Sequence, residues 1–97
     1  MESPAEWFGF DEVGTITAFN WAEGRTNVVI PWAIGGVPVT AIGANAFEFS
    51  GIVSLIAPQT VTTVGNSAFY SCGSLASVSL PQATSIGDGA FSYCGSL

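Results

Sequence analysis

Seven carboxylates and two thiols are the groups in this sequence that could serve as acids, bases or strong nucleophiles. The carboxylates belong to Glu2, Glu6, Asp11, Glu12, Glu23, Glu48 and Asp88, and the thiols to Cys72 and Cys94. The only cation is Arg25, and histidine is absent. No side chain therefore has an ordinary pKa near neutrality, where general acid–base work is done. The serines are many but have no activating partner. Asp11 and Glu12 are the only adjacent acids, and they fall in a predicted turn where solvation is their usual role. Glycoside hydrolysis needs two carboxyls held across a cleft, and two cysteines without histidine fall short of a tetrahedral metal site. The sequence points away from an enzyme, with no catalytic, cofactor-binding or metal-binding residues.

Charge narrows the partners. The formal net charge is −6 and charged residues make up only 8% of the chain. Nucleic-acid binding needs Lys and Arg to neutralise phosphates, and anionic lipid surfaces make the same demand. Hydrophobic residues are plentiful at 48%, yet Gly, Ser and Thr interrupt every apolar stretch. No run of about 18 apolar residues exists to insert in a membrane. The first residues carry acids and aromatics where an export signal would have a basic region and an apolar core.

The elements that position these groups recur with a fixed period. The pattern reads IGANAF at Ile42–Phe47, VGNSAF at Val64–Phe69 and IGDGAF at Ile86–Phe91, in steps of 22 residues. Such a period marks a solenoid, in which each coil buries its apolar face against its neighbours. Cys72 and Cys94 both lie three residues after their Phe, and Ser50 takes that place in the first copy. Gly73-Ser74-Leu75 recurs as Gly95-Ser96-Leu97, and runs ending at Pro58 and Pro81 read as strands. One residue is missing between Phe47 and Ile52 and another between Pro81 and Ile86, in predicted turns.

This spacing predicts an N-terminal cap and lead-in segment over residues 1–38 and repeats of 22–23 residues over 39–97, the last incomplete. The cap should be a hairpin of Trp7–Phe10 with Thr15–Phe19. Strands are expected at Thr26–Ile30, Val53–Ala57 and Ala76–Leu80, with a Gly-rich connection over Trp32–Pro38. Shorter bridges are expected at Val39–Ile42, Val61–Val64 and Ala83–Ile86. Gly43, Gly65 and Gly87 are read as residues chosen for backbone conformation, and Ala46-Phe47, Ala68-Phe69 and Ala90-Phe91 as single helical turns. Phe47, Phe69 and Phe91 should stack as core.

Alternation along Ala76–Leu80 points Val78 and Leu80 inward. Carried to the other strands, it leaves Asn27, Val29, Ser54, Ile56, Ser77 and Ser79 outward, as a continuous column and the candidate partner-binding face. Cys72 and Cys94 should stack inward as reduced thiols, since free cysteine packs as a small hydrophobe. Neighbouring coils are also close enough for a disulfide.

The pattern resembles the BspA-like, treponemal-type leucine-rich repeat family, whose units read roughly IGxxAFxxCxxLxxVxIP. The resemblance covers Gly14 to Leu97, including GTIT at Gly14–Thr17, NVVIP at Asn27–Pro31 and GGVPVTAIG at Gly35–Gly43. It implies a β-rich leucine-rich-repeat solenoid in an extracellular or cell-surface protein. It further implies a binding module that adheres to a host protein, a neighbouring cell or a glycan. The alternative is a spacer that displays another domain and binds nothing. The third copy stops at Leu97, before the strand that follows Leu75 in the second. The expectation is that more repeats and a polar cap follow in the natural protein, and that these 97 residues alone fray from Ala83 and associate end to end.

Overall fold

A computed structural model describes residues 2–97. The chain winds as a short solenoid with two ladders of parallel strands, one on each side of a shared core. The only helical element among the described residues is a 3-10 turn at Ala5–Trp7. Among those residues no helix is long and apolar enough to cross a membrane.

The expected cap is present. Strands β1 (Phe8–Phe10) and β2 (Thr15–Phe19) pair antiparallel, with a bulge between Gly9 and Phe10. Asp11 holds the turn between them. Its Oδ1 accepts hydrogen bonds from the backbone N–H of Val13 and of Thr15, both at 3.0 Å. The second strand is also the first rung of the solenoid. It pairs parallel with β6 (Ala41–Ile42), which pairs with β8 (Thr63–Val64), which pairs with β10 (Ser85–Ile86). The register places Ile16, Ile42, Val64 and Ile86 in one line.

The second ladder contains β3 (Asn27–Val29), β7 (Ser54–Ile56) and β9 (Ser77–Ser79). Val28, Leu55 and Val78 lie side by side in it, and Val28 and Leu55 are buried. Trp32–Pro38, expected as a plain connection, instead folds into a small hairpin of β4 (Ala33–Ile34) and β5 (Val37–Pro38). Gly35 and Gly36 form its tip, with φ of 58° and 83°. Two successive left-handed residues give the turn whose twist matches a tight hairpin, and glycine adopts them without steric cost.

Between the ladders the phenylalanines stack as predicted. Centroid separations are 5.0 Å for Phe19–Phe47, 5.1 Å for Phe47–Phe69 and 5.1 Å for Phe69–Phe91. These match the spacing of hydrogen-bonded strands, about 4.8 Å. Phe8 closes the N-terminal end of the stack against Phe19 and Phe47.

The segments that carry these rings differ from the expected helical turns. Each is a run of hydrogen-bonded turns in which alternate amides have different partners. The N–H groups of Ala46, Glu48 and Ser50 donate within the coil to the carbonyls of Gly43, Asn45 and Phe47. Those of Asn45, Phe47 and Phe49 donate to the next coil, at Asn66, Ala68 and Tyr70. The following coil repeats the scheme from Ser67, Phe69 and Ser71 to Asp88, Ala90 and Ser92. A helix is broken because two positions per coil are left-handed. One contains Asn45, Ser67 and Gly89, with φ of 61°, 56° and 65°. The other contains Phe49, Ser71 and Tyr93, with φ of 58°, 57° and 61°.

Gly43, Gly65 and Gly87 are consequently not the left-handed residues of their coils. They are required for close approach. A Cβ on Gly65 would lie 2.5 Å from the Ala44 amide nitrogen, and one on Gly87 would lie 2.5 Å from that of Asn66.

Candidate functional site

The ladder of β3, β7 and β9 brings the six candidate residues together in two parallel lines. One is Asn27, Ser54 and Ser77, and the other is Val29, Ile56 and Ser79. The alternation that buries Val28 and Leu55 turns both lines outward. Ile56 is 51% exposed, Asn27, Ser77 and Ser79 are exposed, and Val29 and Ser54 are half-buried. Ser54 Oγ donates to Asn27 Oδ1 at 2.8 Å, tying the first two coils across the surface. The face has no charged side chain. It presents the hydroxyls and amide of one line beside the apolar pair Val29 and Ile56 of the other, which ends at Ser79.

A second exposed feature lies on the turn between the two ladders. Phe49 and Tyr70 meet edge to face at 5.6 Å, and Tyr70 and Tyr93 do the same at 5.4 Å. Phe49 is 67% exposed. Trp21 occupies the equivalent place two residues after Phe19 and lies over Gly51, where a Cβ would come within 2.6 Å of the indole. Sequence reasoning passed over this row because its members sit at two adjacent repeat positions, Phe49 and Tyr93 at one and Tyr70 at the other. The available signal was an aromatic within two residues of Phe19 and of each repeated Phe.

The thiols are free, and each points inward to a carbonyl of the preceding coil. Cys72 Sγ donates to Phe47 O at 3.0 Å and Cys94 Sγ to Phe69 O at 3.1 Å. The Cys72 proton is thus engaged, and Ser50 donates its hydroxyl to the sulfur at 3.4 Å. Burial pushes the Cys72 thiol above its ordinary value, and the Ser50 hydrogen bonds offset part of that. Asp11 is held below the ordinary carboxylate value, first by the Thr15 N–H and then by that of Val13. Arg25 is occupied structurally, with Nη1 donating to Asn20 O and the guanidinium over the Trp7 ring at 5.1 Å. Among the described residues no three His, Cys, Asp or Glu side chains cluster to hold a metal ion.

The sequence profile described as BspA type Leucine rich repeat region matches residues 16–97. The chain belongs to the BspA-type leucine-rich repeat family. Solved structures agree. The leucine-rich repeat protein of T. pallidum is similar at 34% identity and a TM-score of 0.88, over 100% of this chain and 48% of that one. A leucine-rich repeat protein from Bacteroides capillosus ATCC 29799 is 34% identical with a TM-score of 0.66, over 75% of this chain and 57% of that one. A leucine rich cell surface protein from Faecalibacterium prausnitzii A2-165 is 28% identical with a TM-score of 0.78, over 100% of this chain and 29% of that one. This BspA-type chain therefore spans about half the length of the treponemal protein. No curated protein matches it. The family's solenoid is a repeat scaffold of the kind used for protein interaction.

Proposed function

We propose that this chain is a non-enzymatic recognition segment of a bacterial cell-surface or secreted protein, holding a partner protein or glycan on the outward face of β3, β7 and β9. The observation that carries the reading is the in-register pair of uncharged lines around Ile56, which is 51% exposed. An interface centre is depleted in charged residues, and the six residues of this face carry none. The F. prausnitzii relative, described as a cell surface protein, supports the location. The test is capture on arrays of matrix proteins and glycans, followed by a variant with Ser54, Ile56, Ser77 and Ser79 changed to Lys. Loss of capture by a folded variant supports the face, whereas unchanged capture moves the site elsewhere.

The Ser54–Asn27 hydrogen bond favours a second reading, since those polar groups already satisfy each other. On that reading the segment is a spacer, and no array component is captured.

A further inference from the structure

We propose that the row Phe49, Tyr70 and Tyr93 is a second binding surface, separate from the sheet face, that takes a linear, uncharged saccharide chain along the solenoid axis.

Phe49 supplies the first argument. It belongs to an interior coil with neighbours on both sides, yet it is 67% exposed and adds little to the core. Its backbone is left-handed at φ 58°, a conformation that glycine or asparagine adopts more readily than a bulky ring. The aromatic thus breaks a local rule with only its edge contact to Tyr70 in return, which is the mark of a residue held for another purpose. Tyr93 repeats the arrangement at φ 61°.

The backbone beneath the row is fixed. Phe49 N–H donates to Tyr70 O, and Ser71 N–H to Ser92 O, both at 2.8 Å. Little ordering is left for a ligand to impose. The rings meet edge to face in single file, giving a narrow apolar ridge one ring wide.

Size and charge select the occupant. A fully covered aromatic side chain buries about 150–250 Å², so three partly exposed rings offer roughly 400 Å². A stable protein interface needs about 800 Å² per partner. A thin strip suits a thin ligand. The C–H faces of a sugar ring stack on aromatic rings, and its hydroxyls need acceptors and donors beside them. Glu48 lies exposed next to Phe49 in the chain and accepts a 2.7 Å hydrogen bond from the exposed Asn45, and Ser71 and Ser92 adjoin Tyr70 and Tyr93. No cation adjoins the row, since Arg25 is engaged by Asn20 and Trp7. An acidic saccharide would meet Glu48 and a net charge of −6.

The experiment titrates the 97-residue chain with β-1,4-linked hexamers of glucose, mannose and N-acetylglucosamine, read by calorimetry and intrinsic fluorescence. Phe49→Asn and Tyr93→Asn are compared, since asparagine accepts the left-handed backbone. Saturable binding to one hexamer, unchanged by added salt and weakened about tenfold or more by each substitution with no fall in melting temperature, supports the proposal. The sheet-face lysine variant should bind the hexamer as well as the parent chain does. Four results overturn the proposal: no binding to any hexamer, binding that survives both substitutions, a lower melting temperature for Phe49→Asn, or saturable binding of a proline decamer in place of all three sugars.

Discussion

Gly65 faces the backbone of Ala44 so closely that a Cβ would sit 2.5 Å from the Ala44 nitrogen and 2.8 Å from the Gly43 carbonyl carbon. Those obstacles are backbone atoms and cannot rotate away. Gly65→Ala should therefore force two coils apart and cost about 1–3 kcal/mol or more, the usual range for overpacking. Gly73 is the control, because nothing lies within 4 Å of the corresponding point. Urea melts should separate the two variants clearly. Equal stability would remove close approach as the reason for the repeated glycine.

Cys72 should behave as an inert thiol. Denatured, unreduced protein should release two free thiols, and the native protein should leave Cys72 unmodified by iodoacetamide at mildly alkaline pH. Its pKa is raised, so the protonated form is favoured by folding. The associated stability is complete below the ordinary value of 9.0 and is lost as pH rises above it. Cys72→Ala should flatten that alkaline loss in a series of thermal melts. A mass two units below the reduced value would establish a disulfide instead.

Asp11 supplies the acid counterpart. Its carboxylate is depressed below 3.8 by the Thr15 and Val13 amides, so folding favours the charged form. That contribution is present above 3.8 and fades as pH falls through the lower folded value. In an NMR titration the Thr15 amide should shift with a midpoint below 3.8, and Asp11→Ala should abolish the shift. A midpoint at or above the ordinary value would contradict the turn geometry.

Thr60 offers a gain. Its hydroxyl is buried with no hydrogen-bond partner among the described residues. An unsatisfied buried polar group costs about 1–3 kcal/mol. Thr60→Val keeps the branched shape and removes the oxygen, so it should be neutral or stabilising by up to about 2 kcal/mol. A drop in melting temperature would reveal a partner for the hydroxyl.

Periodicity made the solenoid legible. The 22-residue step of Ile42, Val64 and Ile86 and of Phe47, Phe69 and Phe91 put each residue in its column. The alternation at Ser77, Val78 and Ser79 oriented the second ladder. The turn segments were harder to read. An Ala-Phe pair after a glycine fits a helical turn locally, and only the hydrogen bonds to the next coil reveal the left-handed residues at Asn45 and Phe49. The Gly35-Gly36 hairpin had a sequence signal, a glycine pair between short apolar runs, that reads equally well as a plain Gly-rich connection. The aromatic row was hidden because Tyr70 is one residue out of step with Phe49 and Tyr93. The side chains bridge that offset, and the period does not.

The division of amides between coil and neighbour gives the turn segments a parity. From Gly43 to Ser50, Gly65 to Cys72 and Gly87 to Cys94 the interval is always seven residues. Every second N–H within that interval reaches the next coil when one exists to receive it. Adding or removing one residue would exchange the two classes, aiming outward-bonding amides inward along the rest of the segment. The segment therefore works as a check digit: it tolerates changes of residue type but rejects a frame error. The gap before Ile52 and the one before Ile86 both fall outside it. Changes of length are compatible with this amide pattern only in the connections or by whole coils.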